Sequence, residues 1–192
     1  MASKASAVTV VGLSGGVDSA VAALLLKEQG YDVHGLFMAN WEEDDEYCTA
    51  AQDFQDARAV ARELDIPLHR VSFATAYRER VFELFLREHR AGRTPNPDVL
   101  CNREVKFGLA LPYAHRLGAR WFATGHYARI ERDDSGEVRL LKARDLAKDQ
   151  SYFLHAISSE QLAGTLMPLG ELFKQEVRER ARNAGLPVYD KP

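Results

Sequence analysis

The feature that most constrains the fold is a seven-residue stretch, Leu13–Ser19, with the sequence Leu-Ser-Gly-Gly-Val-Asp-Ser. An apolar, β-branched run over 8–11 precedes it and predicts a buried strand. A run rich in alanine and leucine over 20–27 follows it and predicts a helix that ends near Gly30. The stretch is therefore predicted to be the turn between a strand and the next helix of an α/β fold.

The chemistry of this turn suits a phosphate group. Gly15 and Gly16 tolerate positive φ and let a ligand approach the backbone closely. The N–H groups of the first helical turn carry a partial positive charge, which favours an anion. Ser14 and Ser19 add hydroxyl donors, and Asp18 is either the N-cap of the helix or a carboxylate for a metal ion. A tight turn that binds nothing is the alternative interpretation.

The turn differs from the phosphate loop of kinases and GTPases, because no lysine lies between Gly12 and Ser19. It resembles instead the Ser-Gly-Gly-x-Asp-Ser pyrophosphate loop (PP-loop) of enzymes that split ATP into AMP and pyrophosphate. This resemblance implies an adenine-nucleotide α-hydrolase-like fold, as in the N-type ATP pyrophosphatases.

Composition limits the class of protein. A chain of 192 residues with 46% hydrophobic and 28% charged residues is typical of one globular domain of ordinary size. The net charge of −3 means that a nucleic-acid partner would need local basic patches. Cys48 and Cys101 have no paired spacing, and no secretory signal or membrane-length apolar run is present. We therefore expect a cytoplasmic protein with free thiols and no membrane partner.

Strand and helix patterns alternate along most of the chain. The pattern predicts a doubly wound parallel sheet, followed by a small hairpin and a short helical extension. The predicted strands cover 31–38, 66–73 and 120–124, the helices 48–64, 76–89 and 104–117, the hairpin 129–132 and 138–142, and the later helices begin at 159 and 174.

Three residues lie where predicted strands end, at the edge of the sheet where ligands of open α/β folds bind. Met38 would lie against an adenine ring, or it is a plain core methionine. Gly125 allows close approach of a nucleotide to the backbone. His126 either binds phosphate or caps its turn.

The segment 92–102 interrupts the helix and strand pattern. Two prolines predict that it is extended and not helical, and Asp98 and Cys101 would then lie close together on a rigid loop. Neighbouring basic residues would favour a thiolate at Cys101 and attract a polyanion, although an inert loop cysteine is the alternative. Cys48 follows an acidic run, 42–46, that we interpret as solvated; this thiol either has a lowered pKa near a helix start or is simply packed.

Several segments together resemble one family, the tRNA-specific 2-thiouridylases of the MnmA type. The Pro-Asn-Pro-Asp-x-Leu-Cys-Asn and Lys-Asp-Gln-Ser-Tyr strings are the most specific of them. The matching segments are 12–19, 35–41, 46–51, 94–102, 124–127 and 148–154.

The resemblance implies a reaction in two steps. ATP, with Mg²⁺, adenylates the C2 oxygen of the wobble uridine in tRNAs for Lys, Glu and Gln, and pyrophosphate leaves. Sulfur from a cysteine persulfide, loaded by a sulfur-relay or cysteine desulfurase protein, then replaces AMP and gives 2-thiouridine. Recognition of this uridine requires that the base be splayed out of the anticodon loop.

The resemblance also implies roles for individual residues. Cys101 is expected to be the nucleophile that works against a second, persulfide-bearing cysteine, and Asp98 to act as a base or to orient the uracil. Asn96, Pro97 and Asp98 would meet the target base. Lys148, Asp149 and Gln150 would contact tRNA, although N-cap chemistry also explains that polar run. The residues implied for ATP are Gly12, Leu13, Ser14, Gly15, Gly16, Val17, Asp18, Ser19, Met38 and Gly125.

The family has further segments that this sequence does not match. Its members carry the persulfide cysteine in a downstream segment, followed by a central domain and a β-barrel, and neither Cys48 nor Cys101 matches that second cysteine. We therefore expect 1–145 to be the catalytic PP-loop domain and 146–192 to begin a truncated, helical tRNA-binding region. On this interpretation the chain carries the adenylation half-reaction only. Mg²⁺ would arrive with ATP, with Asp18 as the one candidate protein ligand, and a single loop thiol argues against an iron–sulfur cluster.

Two other functions remain open at this stage. Another PP-loop enzyme, an AMP-forming ligase or synthetase acting on a small molecule, would share the fold but would not need the basic, proline-rich segment around Cys101. A fragment that binds ATP or tRNA without turnover would show nucleotide affinity but no AMP production.

Overall fold

The computed structural model describes residues 7–41 and 50–191. The strands are β1 (Val8–Gly12), β2 (Asp32–Ala39), β3 (Leu68–Ser72), β4 (Trp121–Ala123), β5 (Ala128–Arg132), β6 (Val138–Lys142) and β7 (Thr165–Leu166). The α-helices are α1 (Val17–Glu28), α2 (Ala50–Glu63), α3 (Ala74–Tyr77), α4 (Glu83–Arg90), α5 (Pro97–Cys101), α6 (Leu111–Arg116), α7 (Ser159–Ala163) and α8 (Lys174–Asn183). Wider π-helical segments, Arg78–Phe82 and Asn102–Ala110, join α3 to α4 and α5 to α6, and Ser151–Leu154 is a 3₁₀-helix.

The main sheet has five parallel strands in the order β3-β2-β1-β4-β7. The chain first builds outward from β1 through β2 to β3 and then returns to the other side of β1, where Val10 pairs with Phe122. This reversal between β1 and β4 confirms the predicted doubly wound fold. Such a reversal opens a crevice at the carboxyl ends of the strands, where α/β proteins bind ligands. The β5–β6 hairpin forms a separate antiparallel ladder.

Helices cover both faces of the sheet, so the alternating side chains of β1 are buried on both sides. Val11 packs with α1, α2 and α8 on one face, and Val177 of α8 is fully buried there. Val10 packs on the opposite face with Phe107 and Phe122, both of which are fully buried. Burial of this kind fixes the strand ends, and therefore the crevice, to a rigid core.

The predicted extended loop over 92–102 is wrong in its second half, because α5 begins at Pro97. Asn96 is extended and caps the helix, since its side-chain oxygen accepts hydrogen bonds from the N–H groups of Asp98 and Val99. Proline is tolerated at the first position of a helix, where its missing N–H has no intrahelical partner to lose. Asp98 and Cys101 therefore lie on the first turns of a helix that continues to Arg116.

Other predictions have different outcomes. Helix α1 begins at Val17, earlier than predicted, and β7 is too short for any periodicity to reveal it. The residues after 145 contribute β7 to the main sheet and α8 to the main core, and the division of the chain at residue 145 stays a prediction. The predictions for Cys48 and for the acidic run 42–46 lie outside the described residues.

Over 7–41 and 50–191, no helix has the length and apolar character needed to cross a membrane.

Candidate nucleotide-binding and catalytic site

A cavity of about 210 Å³ lies at the carboxyl edge of the sheet, between the ends of β1, β2 and β4. It occupies the crevice that the strand order creates, and its lining is largely polar or glycine. The lining residues are Gly12, Ser14, Asp18, Ser19, Met38, Lys106, Thr124, Gly125, His126 and Gln150. Six of the ten residues predicted for ATP are among them.

The Gly-Gly turn is held in one shape by its own hydroxyl groups. The Oγ of Ser19 donates to the carbonyl of Gly16 at 3.0 Å and accepts from the N–H of Ser14 at 3.2 Å. Gly15 has a φ of +82°, and a Cβ atom there would lie 2.5 Å from the carbonyl oxygen of Asp53 in α2. Glycine is therefore required at position 15 both by its conformation and by the close packing of α2.

The other predicted residues of the turn contribute in two ways. The side chains of Leu13 and Val17 are fully buried in the core, so only their backbone atoms face the turn. Gly16, and not Asp18, is the N-cap of α1, which excludes the N-cap interpretation of Asp18. A glycine N-cap leaves the first N–H groups of α1 without a side-chain partner at the cavity, as an anion site requires.

Asp18 is bound by two groups that sequence reasoning missed. Lys174 Nζ donates to both carboxylate oxygens, at 2.7 and 2.8 Å. The Tyr127 hydroxyl donates a further hydrogen bond to the carboxylate at 2.8 Å. Burial, reinforced by Asp18, raises the pKa of Tyr127 far above its usual value, so this hydroxyl stays a donor. No local sequence signal connects Asp18 with a lysine 156 residues away.

Met38 and Gly125 both line the cavity, as the sequence predicted. Met38 is half-buried, and its Cε would lie 3.3 Å from a Cβ atom at position 12. A Cβ atom at position 125 would approach the backbone N of Ser19 to 2.9 Å. Gly125 therefore allows the segment after β4 to pack against the start of α1, which closes one side of the cavity.

The half-buried Lys106 and the buried His126, both of which line the cavity, form a polar chain with Thr124. Lys106 Nζ lies 3.3 Å from His126 Nε2, and His126 Nδ1 lies 2.9 Å from Thr124 Oγ1. Burial, together with the charge of Lys106, lowers the pKa of His126 well below its usual value, so the ring is neutral at pH 7. Its Nε2 then accepts from the ammonium of Lys106 and its Nδ1–H donates to Thr124. Burial also lowers the pKa of Lys106, while Cys101 and Asp98 act in the opposite direction.

Cys101 and Asp98 lie beside this cavity and do not line it. Cys101 is half-buried and Asp98 is exposed. Burial raises the pKa of the Cys101 thiol; Lys106 opposes this effect and Asp98 adds to it. The predicted preference for thiolate is therefore wrong for this structure, because burial of the thiol outweighs the positive charge of Lys106. Of the nearby arginines, Arg103 is paired with Glu104 at 2.7 Å.

An apolar pocket of about 220 Å³ lies on the other side of α5, next to Pro97. Its walls are aromatic, with Trp41 packed against Tyr77 and Phe82 at centroid distances of 5.3 and 5.2 Å. Burial raises the pKa of Tyr77, and the charges of Cys101 and Asp98 reinforce the effect, which places this ring near both groups. Flat aromatic faces beside a carboxylate and a thiol can accommodate an unpaired base.

The three residues predicted for tRNA differ in their surroundings. Lys148 is exposed. Asp149 organises its own loop by accepting hydrogen bonds from the N–H of Ala143 at 2.8 Å and from the hydroxyl of Ser151 at 2.8 Å. Gln150 lines the cavity, and its Oε1 accepts from the N–H of Tyr127 at 3.0 Å.

A protein-only metal centre finds no support in the described part of the chain, where no three His, Cys, Asp or Glu side chains cluster suitably for a metal ion. Within 7–41 and 50–191, Asp18 is the one carboxylate that lines the cavity, and Lys174 already compensates its charge. A divalent cation here would need most of its oxygen ligands from a bound phosphate chain.

The family profile and the curated relatives that match this chain are all named for tRNA modification. The sequence profile described as "tRNA methyl transferase HUP domain" matches residues 7–192. The chain is 63% identical over 180 residues to the tRNA-specific 2-thiouridylase MnmA of Nitrosomonas europaea, covering 93% of this chain and 49% of that protein. It is 58% identical over 184 residues to the enzyme of the same name from Streptococcus pyogenes, covering 95% and 49%. The chain thus spans about half the length of the curated relatives it matches.

Solved structures share the fold at low sequence identity. A 4-thiouridine synthetase in complex with RNA and ATP matches with a TM-score of 0.63 and 21% identity, over 97% of this chain and 43% of that chain. The U34-tRNA thiolase NcsA from Methanococcus maripaludis, solved with its [4Fe-4S] cluster, matches with a TM-score of 0.59 and 19% identity, over 96% and 58%. An NMN synthetase from Francisella tularensis matches at 0.55 and 21%, over 97% and 66%, so the fold alone does not select a substrate.

Proposed function

The chain belongs to the tRNA methyl transferase HUP domain family, and on that premise we propose that it is the ATP-binding and adenylating part of a tRNA 2-thiouridylase. The observation that carries the proposal is a cavity lined both by Ser14, Asp18 and Ser19 of the Gly-Gly turn and by Lys106, whose charge acts on Cys101. The identity of 58–63% to relatives named 2-thiouridylases supports it.

ATP is the nucleotide proposed for the cavity. The free N–H groups at the start of α1 and the hydroxyls of Ser14 and Ser19 suit its pyrophosphate end. Met38 offers an apolar contact for the adenine ring, and Gly12 and Gly125 line the same cavity with backbone atoms alone. Mg²⁺ would bind mainly to the phosphates, since Asp18 is paired with Lys174.

The wobble uridine of tRNA is the proposed second substrate. Its base would enter beside α5, where Asn96, Pro97 and Asp98 are within reach of solvent and the Trp41–Tyr77 surface offers stacking. The uracil C2 oxygen attacks the α-phosphorus of ATP, the new O–P bond forms, and the bond to the departing pyrophosphate breaks. Asp98 accepts the N3 proton of the uracil in this step.

Sulfur transfer is assigned to the whole enzyme. Attack of the Cys101 thiolate on a persulfide-bearing cysteine forms a disulfide and releases the terminal sulfur as hydrosulfide, which attacks C2 and expels AMP. The persulfide is supplied by a sulfur-relay or cysteine desulfurase protein. The raised pKa of Cys101 means that this thiol must lose its proton before it reacts. The tRNAs for Lys, Glu and Gln are the proposed substrates, with Lys148 on an exposed loop as a contact.

Two products are measured with α-labelled ATP, Mg²⁺ and an unmodified tRNA transcript: pyrophosphate, and label that is carried on the tRNA as the adenylate or released from it as AMP. We expect both products with uridine at the wobble position and neither with cytidine there. The Asp98→Asn variant should lose about a hundredfold or more of this rate. Asp134→Asn, which changes an exposed acid of the β5–β6 turn, should retain it.

Other outcomes separate the alternatives. AMP formed equally without tRNA would support a small-molecule synthetase or idle hydrolysis. ATP binding without AMP under any condition would leave the chain a nucleotide-binding fragment. The family description refers to methyl transfer, which needs no AMP-forming step, so uridine-dependent AMP also distinguishes thiolation from that chemistry.

A further inference from the structure

Lys106 lines the cavity, but none of the reaction steps proposed above uses it. It lies on the π-helical segment Asn102–Ala110, five residues and about one π-helical turn after Cys101. An α-helical continuation of α5 would rotate position 106 away from the direction of Cys101. The wider turn therefore brings the amine and the thiol to one side of the helix, where the amine, but not the thiol, lines the cavity together with His126.

The ammonium of Lys106 is incompletely satisfied. One of its three N–H donors meets His126 Nε2 at 3.3 Å, and neutral His126 cannot balance its charge. Among residues 7–41 and 50–191, no carboxylate lies within ion-pair distance of it. Lys174 differs in this respect, because its charge is neutralised by Asp18, a residue that lines the cavity, at 2.7 Å. A half-buried cation that has no ion-pair partner among the described residues and lines a cavity favours an anion bound in that cavity.

The position of Lys106 identifies which phosphate it meets. The start of α1 and the two serines occupy one wall and suit the pyrophosphate end of ATP. Lys106 lines the cavity next to His126, and Cys101 and Asp98, where the target base is proposed to enter, act on its charge. The α-phosphorus must lie on that side, since the uracil oxygen attacks it there.

We propose that Lys106 binds the α-phosphate of the nucleotide, holds it facing the uracil, and stabilises AMP as the leaving group of the second step. The His126–Thr124 pair positions the amine, because His126 Nε2 accepts a hydrogen bond from it. The same ammonium stabilises the Cys101 thiolate on the neighbouring turn. This assignment rests on the proposed function, because it takes the cavity to be the site of ATP.

Binding of AMP, ATP and adenosine to the wild type and to Lys106→Met tests the phosphate contact. Loss of one charge-assisted contact should weaken AMP binding about tenfold or more, while adenosine binding stays within about twofold. Lys106→Arg, which keeps the charge, should retain part of the AMP affinity. Lys142→Met, an exposed lysine of β6, is the matched control and should change neither ligand.

Alkylation of Cys101 by iodoacetamide tests the electrostatic contact without any need for activity. The rate is followed against pH by peptide mass spectrometry, which separates Cys101 from Cys48. Lys106→Met should shift the Cys101 profile to higher pH, because the variant loses the one group found to lower that pKa. Lys106→Arg should shift it less, and unchanged melting temperatures would establish that the variants fold.

The outcomes distinguish this assignment from the proposed function. A wild type that binds ATP, with AMP affinity unchanged in Lys106→Met, overturns the role of Lys106 and leaves the function standing. Equal loss of AMP and adenosine affinity also overturns the role of Lys106, since it would indicate that the substitution collapses the whole cavity. A wild type that binds no adenine nucleotide overturns both.

Discussion

Lys174 connects the last helix to the phosphate-binding turn, and its removal is the most informative single change to the fold. Its amine contacts both oxygens of Asp18, and the two side chains are 16% and 34% exposed. Exposed ion pairs contribute about 0.2–1 kcal/mol, whereas breaking a buried pair costs about 3–5 kcal/mol. For this intermediate burial we expect Lys174→Met to lower the free energy of unfolding by about 2 kcal/mol. The corresponding fall in melting temperature is about 4–8 °C for a chain of this size.

Urea unfolding, combined with a double-mutant cycle through Asp18→Asn, measures this effect. The double variant should be less destabilised than the sum of the single variants by about 1 kcal/mol or more, because neither charge is then left unpaired. Arg180→Met is the matched control. It breaks the other ion pair between α8 and α1, with Glu28 at 3.7 Å, where both side chains are about half exposed. We expect a cost below about 0.5 kcal/mol there. Equal costs for Lys174→Met and Arg180→Met, or a coupling energy near zero, would refute the reasoning.

Three further predictions concern the site. Gly15→Ala should lower the free energy of unfolding in urea more than Gly118→Ala does, and it should abolish ATP binding. Both glycines have positive φ, but of these two positions only 15 would bring the new Cβ against a backbone atom, the Asp53 carbonyl oxygen at 2.5 Å. Asn96→Ala removes the N-cap of α5 and should cost about 1 kcal/mol, with faster hydrogen exchange at the start of that helix. His126 has a lowered pKa in the folded state, so its contribution to stability is present above about pH 6.5 and is lost as the pH falls below that value. His126→Gln should flatten the pH dependence of the unfolding free energy between about pH 7.5 and 5.5, and an unchanged slope would contradict the assignment of a neutral ring.

Local chemistry made much of the site predictable from sequence. The Gly15-Gly16 turn lies between a buried strand and a helix, and each of its constraints is local, so the pattern alone indicates it. The helix at Pro97 was also readable in principle, because asparagine before proline is typical of an N-cap followed by the first helical position. Considered without that cap, the two prolines favour an extended chain.

Long-range contacts were not predictable in this way. Lys174 reaches Asp18 only because α8 packs on α1, and no local pattern encodes that packing. The position of Lys106 depends on a π-helical segment, whereas periodicity analysis assumes the narrower α-helical turn. The raised pKa of Cys101 follows from burial, which a count of neighbouring arginines in the sequence cannot show.

The contact between Lys174 and Asp18 also bears on how the chain matures during synthesis. The Gly15-Gly16 turn leaves the ribosome early, but the lysine that neutralises its neighbouring carboxylate follows 156 residues after Asp18. Strand β4, which forms one wall of the cavity, must likewise wait for more than half of the chain. A ligand stabilises only the state that binds it. A phosphate ligand can therefore act on the completed domain but cannot guide the nascent chain, whose early strands must find their order without it.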